Sequence, residues 1–286
     1  MSAVGLIVVL GCVFGVFVAH GGDLAPIIHA APSELATIGG AAVGAMLVGN
    51  GMDTIKGVGG GMGKVFSGPS YHKQDFLDVI FLVSRLLKIL RVDGPVALES
   101  HVEDPHSSAI FAEYPKLMKD HTLIHMITDT IRLMVVSSGG LNAYAVDDVL
   151  DIAIKHHHHE AMRPVEALAA TAGACPALGI VACVLGVVKT MGAIDQPPPV
   201  LGALIGSALV GTFMGVLLAY GVIEPMGGRL KQILDDDAEI YQVVRQLIVA
   251  TLHGHPQPLV IEAARAGIGH HNKPSFGEVF DGLRGK

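Results

Sequence analysis

Two textures of apolar residues alternate along this chain. Residues 167–188 run for 22 positions and 200–223 for 24 without Asp, Glu, Lys or Arg. As helices rising about 1.5 Å per residue, they reach roughly 33–36 Å, enough to cross a bilayer core of about 30 Å. Residues 3–19 and 35–52 are shorter runs of the same kind. The pattern predicts four membrane-spanning helices. Between and after them the apolar positions become striped. In 74–91, Phe76, Val79, Ile80, Val83, Leu86, Leu87 and Leu90 recur at helical spacing, interrupted by Asp78, Arg85 and Lys88. That is an amphipathic helix, ended by Gly94-Pro95. Residues 116–136 read as a second striped helix, interrupted by Asp120, Asp129 and Arg132. Residues 144–161 read as a third that feeds into the 167–188 span, and 229–252 as a fourth. The glycine cluster at 57–63 reads as a flexible joint, without the Gly-Lys-Ser/Thr ending of a phosphate loop.

Charge gives the spans a direction. No Lys or Arg precedes Lys56, and between Pro164 and Gly228 the only one is Lys189. Basic residues flank the long middle segment and the C-terminal tail, and the short connections at 20–34 and 189–199 are nearly free of them. The positive-inside rule therefore places 53–163 and the tail in the cytoplasm, both termini included. The expected fold is an all-α membrane protein. It has four transmembrane helices, a large helical cytoplasmic insertion between spans two and three, and a helical cytoplasmic C-terminal segment. The implied segments are 1–52, 53–163, 164–225 and 226–286. The first span lacks a basic leader and reads as a permanent anchor. A formal net charge of −7 opposes nucleic-acid binding. Cys12, Cys175 and Cys183 all lie in apolar runs, which argues against a disulfide framework or a thiolate metal site.

An ion carrier ordinarily needs an ionisable group near mid-bilayer. The four runs as delimited hold none, so a second chain is expected to supply that carboxylate. Gly40/Gly44, Gly202/Gly206 and Gly211/Gly215 are GxxxG pairs, which let helices approach closely, either within the chain or around partner helices. Pro176 interrupts the third run, and Pro225 is read as a kink and stop closing the fourth. Thr171 and Thr212 each carry a hydroxyl that either bonds its own helix or faces a passing ion. His156, His157, His158 and His159 are spread about 100° apart around a helix and cannot all face one metal. They read as a solvated or interfacial helix end, with pH sensing as a further possibility.

Two stretches carry a family resemblance: PALGIVACVLGVVKTMGAID from Pro176, and LGALIGSALVGTFMGVLLAYGVIEPM from Leu201. With DPHSSAIFAEYPKLMKDH from Asp104 and KPSFGEVF from Lys273, they resemble the MotA stator subunits of bacterial flagellar motors. The broader relatives TolQ and ExbB share the last two spans but have three. The resemblance implies a proton channel and torque generator, not an enzyme, in the bacterial inner membrane. In that picture about five copies ring a MotB dimer, whose Asp carries the ion, and the cytoplasmic part pushes on the rotor protein FliG. No cofactor or metal is implied. Pro176, Pro225 and Thr212 match the family's torque and pathway positions, with Thr171, Ala182 and Cys183 beside them. Sodium-driven members carry an extra threonine in the third span, where this chain has Val181-Ala182-Cys183, so the resemblance implies H+ over Na+. Glu99, His101, Glu103 and Asp104 match the rotor-contact region. There Leu98-Glu99-Ser100 replaces the family's Leu-Glu-Arg, and Ser107-Ser108-Ala109 replaces an often acidic stretch. The alternatives are a TolQ/ExbB-like energiser of an outer-membrane system and, in another class, a membrane-anchored metal sensor using the histidine run.

Overall fold

The computed structural model describes residues 1–137 and 141–284, and among these every regular element is helical. The chain divides into two compact units. Unit 1 comprises Met1–Gly68 and Ala161–Ile233, and unit 2 comprises Pro69–Glu160 and Leu234–Lys286.

Unit 1 holds α1 (Ser2–Ala19), α2 (Ala25–Gly49), α3 (Met52–Ser67), the latter part of α8 (Ala143–Met191) and α9 (Pro198–Val216). Among the described residues, four helices are long and apolar enough to span a membrane: α1, α2, α8 and the run Pro198–Leu252. Their mostly exposed apolar surfaces, such as Val4, Ile7, Ile180 and Leu209, suit lipid or neighbouring helices. The small core of the unit gathers Ala30, Ile38, Ala42, Cys175, Ala182 and Met214.

Three sequence expectations need correction here. The glycine cluster is not a joint. It forms the middle of α3, because glycine lets that helix lie against its neighbours. A β-carbon on Gly57 would come within 2.6 Å of the Pro164 ring, and one on Gly61 within 2.6 Å of Leu230 Cδ2. Nor does Pro225 stop a helix. The fourth span passes from α9 through a π-helical segment, Leu217–Ile223, directly into α10 (Glu224–Leu252). Proline has no N–H to give and its ring crowds the carbonyl four residues back, here Gly221. The wider winding relieves this: the Glu224 N–H already reaches back five residues, to the Ala219 carbonyl. Finally, the second span begins earlier than its apolar run. α2 starts at Ala25 and so takes His29 and Glu34 into the helix.

Unit 2 holds α4 (Lys73–Val92), α5 (Pro95–Glu103), α6 (Ala109–Ala112), α7 (His121–Val136), the first part of α8, most of α10, α11 (Gln257–Ala266) and α12 (Phe276–Arg284). The predicted helix at 74–91 is α4, ended by Gly94 at φ +85° with its N–H on the Ile89 carbonyl. The predicted helix at 116–136 is shorter than expected. Asp120 begins it: its side chain accepts the Leu123 N–H at 2.9 Å as the N-cap of α7. The expected continuity from 144 into the third span holds as one 49-residue helix, α8, running through Pro164 and Pro176.

A broad core of Phe76, Ile80, Leu86, Phe111, Leu123, Ile127, Val244 and Leu247 fills unit 2. Its rim is polar and paired. Arg245 bonds Asp147 and Asp151 of α8, each at 2.6 Å. The Tyr241 hydroxyl donates to Asp120 Oδ2 at 2.7 Å, and the Tyr71 hydroxyl donates to the same oxygen. Asp237 accepts the Ser70 N–H at 2.7 Å and the Ser70 hydroxyl at 2.9 Å. Burial, reinforced by the Asp120 carboxylate, raises both tyrosine phenols well above their ordinary range.

Candidate functional site

In unit 1, α8 and α9 meet along a seam of small residues. A β-carbon on Gly215 would lie 2.6 Å from the Cys175 carbonyl oxygen. One on Gly179 would lie 2.8 Å from the Gly211 carbonyl oxygen, and one on Gly186 2.6 Å from Ala208 Cβ. Such approaches leave no room for side chains, so the two backbones touch. Of the three GxxxG pairs, only Gly211/Gly215 is used inside the chain. Around Gly40, Gly44, Gly202 and Gly206 there is open space.

The seam brings together most of the pathway residues singled out in the sequence. Pro176 follows Cys175 within α8. Ala182 and Cys183 lie against Gly211: a β-carbon there would sit 3.2 Å from both Ala182 Cβ and the Cys183 nitrogen. Thr212 Cα lies opposite Gly179. Thr171 is buried nearer the start of the span. Its hydroxyl donates to the Ala167 carbonyl at 2.7 Å, the helix-bonding alternative of the two raised for it. It lines a recess of about 470 Å³ together with Asn50, Thr54, Arg163 and Glu166. Pro225 is exposed and lies outside the seam, just beyond the π segment.

One residue here escaped the sequence reading. Ala30, Ile38 and Ala42 are the buried positions of α2, and Glu34 falls midway between the first two, on the same four-residue spacing. Its Oε2 is buried and has no hydrogen-bond partner among the described residues. A β-carbon on Gly211 would come within 2.7 Å of that oxygen. A chain-borne carboxylate therefore stands at the level of Ala182, Cys183 and Gly211. The sequence signal that finds it is the phase of the buried stripe, not the length of the uncharged run.

In unit 2, the candidate rotor-contact residues sit on and just after α5. Glu103 accepts the Arg132 Nε at 2.6 Å. His101 Nδ1 lies 2.8 Å from the Ser108 hydroxyl. Asp104 receives the Ser107 hydroxyl at 2.6 Å and the Ser107 N–H at 3.2 Å, and these bonds hold its carboxyl below the usual range. Glu99 is exposed and makes none of these contacts.

Comparison with known proteins decides the family. A model described as the N-terminal part of motility protein A matches residues 3–94, and one for the MotA/TolQ/ExbB proton channel family matches 118–242. Motility protein A of Salmonella typhimurium (strain LT2) is 38% identical over 280 residues, covering 98% of this chain and 94% of that one. The chain belongs to the MotA family. Motility protein A of Escherichia coli K12 is 37% identical over the same length. Chemotaxis protein LafT of Vibrio parahaemolyticus is 33% identical over 275 residues, covering 96% of this chain and 95% of that one. Among solved structures, MotAB of C. jejuni superposes with a TM-score of 0.73 at 18% identity, covering 96% of this chain and 98% of its counterpart. The flagellar MotAB stator complex of Bacillus subtilis gives 0.68 at 19% identity, covering 92% of both chains. These two likenesses are of fold.

A MotA-family chain with four such helices is a multi-pass membrane protein. The histidine run lies on α8 in unit 2, and its rings point to different partners. His156 Nε2 lies 3.5 Å from Glu160, His158 Nε2 lies 3.2 Å from Asp235, and the His157 ring rests 4.8 Å from that of Tyr241.

Proposed function

We propose that this chain is a stator subunit of a bacterial flagellar motor. It sits in the inner membrane with both termini and unit 2 in the cytoplasm, as the distribution of Lys and Arg favours. It assembles in a ring of about five copies around a dimer of a MotB-type partner, whose single span brings the Asp that carries the ion. Ion flow turns the ring, and unit 2 passes the torque to FliG through the α5 region of Glu99, His101, Glu103 and Asp104.

The observation that carries this reading is the α8–α9 seam. Ala182, Cys183 and Thr212 lie where two backbones touch, Pro176 follows the Cys175 of the same seam, and Gly40, Gly44, Gly202 and Gly206 stay open for helices from outside the chain. Dehydrated sodium needs several oxygen ligands. At Ala182 and Cys183 α8 offers a methyl and a thiol, which favours the proton. The driving force is about 2.3 kcal/mol per charge per 100 mV, plus any pH gradient. Matches over both the N-terminal and the channel segments favour this reading over a TolQ/ExbB-like energiser.

The test is rescue of swimming in a stator-deleted strain carrying this chain and its native partner. Swimming that persists when potassium replaces sodium and stops on adding a protonophore is the expected result. A sodium requirement overturns the ion, and failure to rescue despite stable membrane expression overturns the motor.

A further inference from the structure

We propose that Glu34 is a proton-carrying residue contributed by this chain, acting in series with the partner's carboxylate. The inference rests on reading the chain as part of a proton-conducting complex.

Three observations converge on it. The first is depth. Glu34 is nine residues into α2, about 14 Å along a 25-residue helix that is long and apolar enough to cross a membrane, so it stands away from either helix end. The second is surroundings. It continues the stripe of Ala30, Ile38 and Ala42, and these pack with Cys175, Ala182 and Met214 in the core of unit 1. The third is the lack of a partner. Oε2 is buried with no hydrogen-bond partner among the described residues, against Gly211, the residue before Thr212 in the chain. Ionisable groups inside spans are costly and mark ion paths. An ionised carboxylate with an unbonded buried oxygen is far less favourable than the neutral acid. The side chain as a whole is only partly buried, so it keeps a way out of the seam.

The step involves one proton and no other chemistry. The Glu34 carboxylate takes H+ from water on the side where α2 begins and becomes a neutral acid. It then gives the same proton, by way of water on the open side of the side chain, to the partner's carboxylate and returns to its charged form. Gly211 is the residue that lets the carboxyl reach this position, since any side chain there would occupy its place.

The test uses the full chain copurified with its partner and reconstituted in phosphatidylcholine–phosphatidylglycerol liposomes. A potassium diffusion potential drives the flux, and a trapped pH dye reports it. Glu34→Gln keeps the shape but cannot cycle a proton, whereas Glu34→Asp can. E34Q is expected to cut proton flux at least about tenfold with an unchanged elution profile, and E34D to keep most of it. Flux in E34Q within about twofold of the parent overturns the assignment and leaves the stator reading standing. A parent complex that carries no protons overturns both.

A second measurement needs no variant. Dicyclohexylcarbodiimide adds the O–H of a protonated, apolar-sited carboxyl across one C=N bond, and the adduct rearranges to a stable N-acylurea. Mass spectrometry of the labelled parent complex is expected to find the adduct on Glu34, rising in step with loss of flux. An adduct that accumulates on Glu34 with no loss of flux overturns the proposal.

Discussion

Helix α8 is held in two different ways along its length. In unit 1 it meets α9 through glycine and alanine, backbone to backbone, with a carboxyl oxygen left unbonded at the contact. In unit 2 it meets α10 through Arg245, Asp147 and Asp151 above a core of large aliphatic side chains. The first contact cannot yield, because neither backbone has side chains to move aside. The second is a set of rotatable, partly hydrated pairs that can give and re-form. A close seam fixes the separation of the groups along it, and an ion-paired surface lets two helices shift and re-pair.

The largest effect is expected where the seam is filled. Gly215→Ala drives a β-carbon to 2.6 Å from the Cys175 carbonyl oxygen, which is backbone on a proline-bearing turn. We expect about 3 kcal/mol of destabilisation or more, with loss of swimming. Gly202→Ala, with nothing within 4 Å, is expected to stay within about 0.5 kcal/mol of the parent in the isolated chain. Thermal unfolding in detergent measures both. Equal effects would mean that the seam is no tighter than the open face of α9.

Arg245→Ala probes the other contact. It leaves Asp147 without its 2.6 Å partner, while Asp151 keeps Lys155 at 2.6 Å. The pairs are partly exposed, so the expected loss is about 1–2 kcal/mol. Arg245→Lys should recover part of it, since an ammonium can serve only one of the two carboxylates well. A loss as large as that of G215A would make the two contacts equally unyielding.

These two contacts also differ in how far they could be read from sequence. The existence of four spans, the amphipathic α4 and the passage of α8 into the third span were all legible, because long uncharged runs and helical stripes record burial directly. Glu34 was not. Uncharged windows stop at the first carboxylate, so the pattern begins the second span at Leu35, ten residues after α2 starts at Ala25 and one after Glu34, and counts no ionisable group in the spans. The glycine cluster of α3 departs from its sequence pattern for a related reason. Local propensity opposes a helix there, and only Pro164 and Leu230, more than a hundred residues away, explain why glycine is required. Asp120 reads as an interruption because a cap and a break have the same composition, and its side chain on the Leu123 N–H decides between them. Pro225 misled in the same way, since the π turn that accommodates it has no composition of its own.

A double mutant tests whether the polar rim of unit 2 acts as separate bonds or as one group. Tyr71 and Tyr241 both donate to Asp120 Oδ2. Tyr71→Phe or Tyr241→Phe alone is expected to cost about 1–2 kcal/mol, and the pair more than the sum, because the second loss leaves that oxygen without either donor. Simple additivity would mean independent bonds. The raised phenols also set a sign. A proton held more tightly in the folded state stabilises the fold below the ordinary phenol range near 10 and loses that contribution as pH rises above it. The double mutant should therefore flatten the alkaline limb of a stability–pH curve.

The smallest effect belongs to the most exposed pair. Lys73 Nζ lies 2.6 Å from Glu278 Oε1, with both side chains more than two-fifths exposed. The Lys73 ammonium, together with the Ser275 N–H and hydroxyl, holds the Glu278 carboxyl down at about 2, against an ordinary value of 4.5. A depressed carboxyl stabilises the fold fully above its unfolded value and loses that contribution as pH falls from 4.5 towards about 2. Glu278→Gln should therefore lower the unfolding midpoint slightly at pH 7. The difference should close on acidification through that window and shrink in about 1 M salt, where screening reaches about 3 Å. A gap between E278Q and parent that widened on acidification would reverse the assigned sign. One that persisted unchanged in salt would move the pair from the yielding class of contact to the rigid one.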